Sequence, residues 1–547
     1  MSLPYIPQVY AHAKNGQIAF GGINHNLYAG DGEIYDMKNL TSDYFPLLSP
    51  RGKRYVAYTV SSPQGIIASD ALYYIAGGKL YKDGTVVEGH TFADGEKQLA
   101  VLGNYLIVFP DKVCYRLKKG ADDKAFEELS ASEPYTNATI SDGTYAGEKA
   151  DANTLDTKDP NVGSVFRVGD AVFFSGIDDY LSTPGSALII REIDGSKLVF
   201  YENTFVGLPE KDANGNRTPV SCNVTISRDV PDMEFICENE NRLWGCKGDA
   251  IYASKPGDPF NWNAFDGIAT DSYAVEVGSA GSFTACCSYL GYPVFFKEDH
   301  IYKVYGDRPS NYQVMSSASL GVEAGSSKSL AIAGEILFYL SRAGIMAYSG
   351  GIPQLVSAPL GTERHKNAVA GSDGIKYYVS MQNRDNDWHL YVYDTRYQLW
   401  HKEDDTCAYG FAWNGELLML TANTIWVCGI ARRNYNAMEG QVQSFVEFGD
   451  FIESSPNAKY VSKFQLRAEL YAGCILTVKI QYDSGEWEEI EKLRCKKLFG
   501  KDEKQSYVIP IKPRRADHYR LRIEGEGDYK IYSLTRVYDN SSELRTK

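Results

Sequence analysis

The sequence predicts an all-β protein, and three observations carry that reading. Tyr (40) and Gly (50) are abundant against only 8 Met, a balance that suits half-buried strands joined by tight turns. A two-strand phrase recurs along much of the chain. Helical periodicity is nearly absent from the segments between its copies.

The phrase is an apolar strand, a short polar turn, and a second strand carrying Tyr, Trp or a similar residue. It reads ALYYIA–KLY at 71–81, YLIVFP–KVCYRL at 105–117, NRLWGC–DAIYAS at 241–254 and YPVFFK–HIYKVY at 292–305. It continues as EILFYL–GIMAYS, IKYYVS–HLYVYD and ELLMLT–TIWVCG, with turn tokens such as GGK, KGD and SRAG between the halves. Successive copies begin at 241, 292, 335, 375 and 416, steps of 51, 43, 40 and 41 residues. A period of ~40–50 residues built from strands is that of β-propeller blades, and six to eight would fit the chain. A β-sandwich or meander with accidental regularity is the competing reading.

Four regions follow. Residues 1–60 form an extended N-terminal segment leading into the propeller, which takes 61–118 and 236–440. Residues 119–235 interrupt the period. Their first part, to about 160, is acidic and turn-rich and reads as a solvated linker; about five short alternating strands then suggest a small β-barrel of the SH3 or OB kind. Residues 441–547 alternate with period two through seven strands, among them KFQLRAEL, ILTVKIQYD and HYRLRIEG, and read as a C-terminal β-sandwich with one wet face and one core face.

Charge and composition exclude several classes. The formal net charge is −14, against the basic balance of a general nucleic-acid coat. No apolar run reaches the ~20 residues of a membrane span, and MSLPYIPQVYAHAKNGQIAF shows no signal-peptide pattern. The ten cysteines include no CxxC pair, which favours free thiols formed in a reducing cytoplasm over a zinc site. Eight scattered histidines offer no HxH or HExxH spacing, so neither metal nor cofactor is expected. The near Asp-box at Asp483, Gly485 and Trp487, and the acidic runs DNDW (385–388) and KEDDT (402–406), sit where turns are expected. With no P-loop, nucleophile elbow or assignable acid–base pair, the expectation is that the chain is not an enzyme.

One block carries more than periodicity. ENENRLWGCKGDAIYASKPGDPFNWN opens residues 238–307, which close on IYKVYGD; SASLGVEAGSSKSLAIAGEILFYLSRAGIMAYSGG follows at 317–351. These stretches resemble the propeller core of tail-nozzle (tail stabilisation or tail hub) proteins of short-tailed bacteriophages. NLTSDYFPLLSPRGKR (39–54) is similar to the segment leading into their first blade, its Asn–Pro–Arg skeleton falling on Asn39, Pro46 or Pro50, and Arg51 or Arg54. The resemblance implies a structural virion protein, made in the bacterial cytoplasm and assembled as a hexameric ring in the tail. Its partners would be copies of itself, other tail or neck proteins, and genomic DNA passing through a sealed channel.

The assembly or channel candidates are then Asn39, Tyr44, Phe45, Pro46, Arg51 and Arg54. Tyr44 and Phe45 would anchor on a neighbouring blade or subunit, Pro46 and Pro50 would keep the chain extended, and Arg51, Lys53 and Arg54 would face the ring surface or lumen. A glycan-binding or glycan-hydrolysing propeller is the alternative, on the Tyr and Trp content and the near Asp-box. A receptor-binding tail protein holding host-surface glycan is a further one.

Overall fold

The two halves of the repeated phrase become the middle strands of four-stranded antiparallel meanders, of which the computed structural model contains seven among its described residues. Those residues are 13–26, 30, 33–118, 120, 124–453 and 457–540; the expectation of no signal peptide, resting largely on residues 1–12, lies outside them. The fold is all-β; among the described residues the only helices are one-turn 3-10 segments, and none of these is long and apolar enough to cross a membrane.

Residues 64–327 form one compact unit. Its first meander runs Pro63–Ala68, Leu72–Ala76, Lys79–Lys82 and Thr85–Val87; the others begin at Gln98–Leu102, Phe235–Asn239 and Ala285–Tyr289. All five residues of Leu72–Ala76 are buried, because a second strand is covered on both faces. Its turn to the third strand is Gly77-Gly78, both at positive φ (56° and 73°), the pairing a two-residue hairpin of this hand requires. The first strands of the second, third and fourth meanders lie against one another in turn. Between the second and third meanders a seven-stranded sheet is inserted, ordered Leu188–Ile189, Ala171–Ser175, Val220–Arg228, Ala131–Tyr145, Glu148–Asp156, Lys197–Val199 and Glu192–Asp194. It has its own core, including Ile140, Leu155, Phe166, Phe174, Phe200 and Ile226.

The acidic stretch expected to be a linker therefore contains two of the longest strands. Its acids lie on the outer face and find cations there: Asp142 accepts from Arg217 at 3.0 Å and Asp156 from Lys158 at 2.7 Å, while Ala152, Asn153 and Leu155 turn inward. Composition registered the charge and missed the alternation.

The second unit joins the residues up to Pro63 with those from Lys328 onward. Its three meanders begin at Ala331–Ala333, Lys366–Ser372 and Gly410–Trp413, and their first strands again lie side by side. Gly371 packs against Phe411, and a Cβ there would collide with that side chain. Gly371→Ala is expected to lower the unfolding free energy by about 1–3 kcal/mol, read by urea denaturation. The last meander takes its fourth strand, Tyr55–Thr59, from the N-terminal segment, paired with Thr424–Cys428.

The same segment supplies one strand to each of two five-stranded sheets formed by the C-terminal region. Ala13–Gln17 pairs with Tyr529–Asn540 in the first, beside Lys459–Leu470 and Gln505–Pro510. Ile34–Lys38 pairs with Gln443–Phe448 in the second, which continues through Tyr519–Glu526, Ile475–Tyr482 and Glu488–Arg494. Phe464, Leu466, Leu476, Val478, Tyr519, Leu521 and Leu534 fill a core common to both sheets, continuous with Phe338, Tyr377 and Trp400 of the meanders.

Candidate functional site

Strand alternation builds the floor of a cleft on the outer face of the second five-stranded sheet. In Tyr519–Glu526 every other residue is buried, so Arg522, Glu524 and Glu526 point outward together. The register sets Gln443, Glu526 and Ile475 in one row across three strands, and Phe445, Glu524 and Thr477 in the next. Lys38, Asn39, Arg51, Asp404 and residues 439–442 supply the walls around a cavity of about 570 Å³. That is the size of a small-molecule or oligosaccharide site.

One wall is a buried ion network. Arg51 and Arg54 have side chains only 7% and 5% exposed. Arg51 forks onto Glu439 and reaches Asp404 at 3.4 Å; Arg54 holds Glu403 at 2.5 Å and Asp404 at 2.8 Å. The Arg54 backbone N–H also donates to Glu439 at 2.7 Å. Burial alone would raise the Asp404 carboxyl, but Arg54, a hydrogen bond from Thr406 and Arg51 outweigh it and hold the group below the usual carboxylate range. Burial works against the Arg54 charge too, and Glu403 and Asp404 overcome it, raising its pKa.

Asn39, at positive φ (56°), ties the turn to the floor: its Nδ2 donates to the Gln443 carbonyl at 2.7 Å and its Oδ1 accepts from Arg51 Nε at 2.8 Å. On the floor, Arg522 lies 4.0 Å over the Phe445 ring, donates to Glu524 at 3.0 Å and reaches Glu447 at 3.3 Å. Lys479 holds the other Glu524 oxygen at 2.7 Å.

Of the six sequence candidates, Asn39 and Arg51 line the cleft and Arg54 stands behind its wall. Tyr44, Phe45 and Pro46 lie apart from it. Phe45 stacks on Tyr397 at 4.6 Å, in the turn before the last strand of the meander beginning at Lys366. Tyr44 is 49% exposed beneath the Lys530 ammonium, 3.6 Å from its ring centre. Pro46 follows a cis peptide, and its carbonyl accepts from Phe20 N–H at 3.0 Å. Arg51 and Arg54, expected at a ring surface or lumen, are largely buried and paired with the carboxylates of KEDDT and Glu439.

Sequence reasoning missed Glu439, Arg522, Glu524 and Glu526; the only signal was the charged alternation in HYRLRIEGEG. The remaining candidates hold turns. Asp483 accepts from the Asp517 and His518 N–H groups at 2.8 and 3.3 Å, and Asn383 Oδ1 accepts from Asp387 N–H at 2.8 Å within the DNDW turn. In the basic run KPRR (512–515), Arg514 pairs with Glu488 at 2.9 Å on the surface.

All ten cysteines are free thiols, and no group of His, Cys, Asp or Glu suited to a metal occurs among the described residues. His365 and His401 are buried, and burial, reinforced for His401 by the Lys376 charge, depresses each to about 4. An unfolded histidine titrates near 6.5, so between these values the unfolded chain binds more protons and stability falls as the pH drops. Acid titration of stability is expected to show a loss on the order of 3 kcal/mol for His401 across pH 6.5 to 4, absent in His401→Gln.

No family model matches the chain, and no curated protein matches it. Among solved structures, an exo-β-1,3-galactanase from Phanerochaete chrysosporium aligns at 9% identity over 60% of this chain and 99% of its own, with a TM-score of 0.22. PorZ, a surface component of the type-IX secretion system of Porphyromonas gingivalis, aligns at 12% identity over 89% of this chain and 82% of its own, with a TM-score of 0.27. A bifunctional GH43-CE protein of Bacteroides eggerthii aligns at 10% identity over 58% and 63%, with a TM-score of 0.21. These neighbours are glycoside hydrolases and a secretion component, and none of them is a tail protein. The expectations of a virion ring protein and of a non-enzyme are corrected accordingly.

Proposed function

We propose that the chain is a glycan-active protein of β-propeller architecture, that its seven meanders are blades, and that the cleft holds an oligosaccharide. The observation that carries this reading is the lining of the cleft. Hydrogen-bonding groups of both senses alternate there at strand spacing, around a short apolar strip of Val442, Phe445 and Ile475. A sugar hydroxyl donates and accepts at once, which suits Gln443, Thr477 and the Arg522–Glu524 pair. The C–H face of a pyranose ring suits the strip.

Other ligand classes fit less well. An added peptide strand needs a free edge, and Gln443–Phe448 is paired on both sides. Phosphate chains need net positive charge, and here three cations face four carboxylates. Asp404, Glu439, Glu524 and Glu526 are the groups a hydrolytic step would draw on.

Calorimetry against a panel of soluble oligosaccharides, with an assay for released reducing ends, tests the reading. Binding by the wild type and a loss of about tenfold or more in the Gln443→Ala, Thr477→Ala double variant is the expected result. Failure to bind or cleave any member of the panel would refute it.

A further inference from the structure

We infer that the cleft selects sugars bearing a free ammonium group, an inference that rests on the glycan reading above. Among the described residues, every charge that lines the cleft is paired except one. Arg51 is held by Glu439 and Asp404, and Asp404 also by Arg54. Arg522 and Lys479 share Glu524. Lys38 turns to Asp405, at 2.8 Å. Each lining cation already has its carboxylate, and one lining carboxylate is left over. Glu526 has no ion-pair partner among the described residues, and it stands on the floor between Gln443 and Ile475.

A neutral sugar would leave that charge to water, and a uronate would meet repulsion. An ammonium of a hexosamine completes the pair, with the exposed Gln443 amide beside it as a second acceptor and the Ile475 side chain under the ring. Glu526 would thus determine specificity, while the paired charges around it hold the cleft in shape.

The test compares three length-matched oligosaccharides by calorimetry at low salt: a β-1,4-glucosamine oligomer, its N-acetylated counterpart and a galacturonate oligomer. The wild type is expected to bind the glucosamine oligomer about tenfold tighter than the N-acetylated one, with the ratio shrinking as salt rises and approaching unity in Glu526→Gln. Because the ratio and its salt dependence are measured on the wild type, the result stands even if the variant misfolds. Equal binding of the first two, or preference for the uronate, would overturn the selectivity and leave the glycan reading standing. No binding of any of the three, nor of the wider panel, would overturn both.

Discussion

Arg54→Met is expected to lower the unfolding free energy of the unit built from the residues up to Pro63 and from Lys328 by about 3–5 kcal/mol, measured by urea denaturation. The methionine fills much of the same volume, so the loss reports charge rather than a cavity. Glu403 and Asp404 would remain largely buried without their cation, and Asp404 would lose the contact that contributes most to its ionisation. Neutralising Glu403 in the same chain (Glu403→Gln) should recover part of the loss, because removing both partners costs less than stranding one. A loss under about 1 kcal/mol would mean that the network behaves as solvated surface pairs do.

The pH dependence follows from the sign. The folded Asp404 carboxyl lies below its unfolded value near 3.9, so its contribution is complete above that value and disappears as pH falls through the folded one. The wild type should therefore lose stability more steeply than Arg54→Met below about pH 4.

Trp400→Ala is expected to cost a similar amount, about 3–5 kcal/mol, and to release the N-terminal segment. Trp400 is 1% exposed, packs on Tyr393 at 4.9 Å and donates from Nε1 to the Val356 carbonyl at 2.8 Å. Its own carbonyl accepts from Ile23 N–H at 2.8 Å, and Gly22 lies so close that a Cβ would strike the Trp400 backbone. Loss of the indole should raise both the thermal sensitivity and the rate of proteolysis around Ile18, already 72% exposed. Trp400→Phe, which keeps a ring and loses one hydrogen bond, should cost about 1 kcal/mol more than a neutral repacking.

The middle strands of the meanders were legible because burial on both faces writes a continuous apolar run, as in Leu72–Ala76 and Leu417–Leu420. Outer strands leave weaker traces: Gln354–Leu355 is two exposed residues. Tyr55–Thr59 has the composition of a strand, yet nothing local says that its partner is Thr424–Cys428. The cleft was half legible for the same reason. RGKR and KEDDT were visible as clusters of opposite sign, but their pairing depends on Asn39 turning through positive φ and on a register set far away. The outward face of HYRLRIEGEG was recognisable as wet; that it forms a floor depends on walls brought from residues 38–51, 404 and 439–442.

The order in which the chain is made gives the borrowed strands a further meaning. Ala13–Gln17, Ile34–Lys38 and Tyr55–Thr59 are synthesised roughly 370 to 520 residues before the strands they pair with. At ~5–20 residues per second, the wait is roughly 20 to 100 seconds. Residues 64–327 have their strands' partners close behind them in sequence and can fold during that interval. The early strands must meanwhile stay unpaired and soluble, a task for which nascent-chain chaperones are suited.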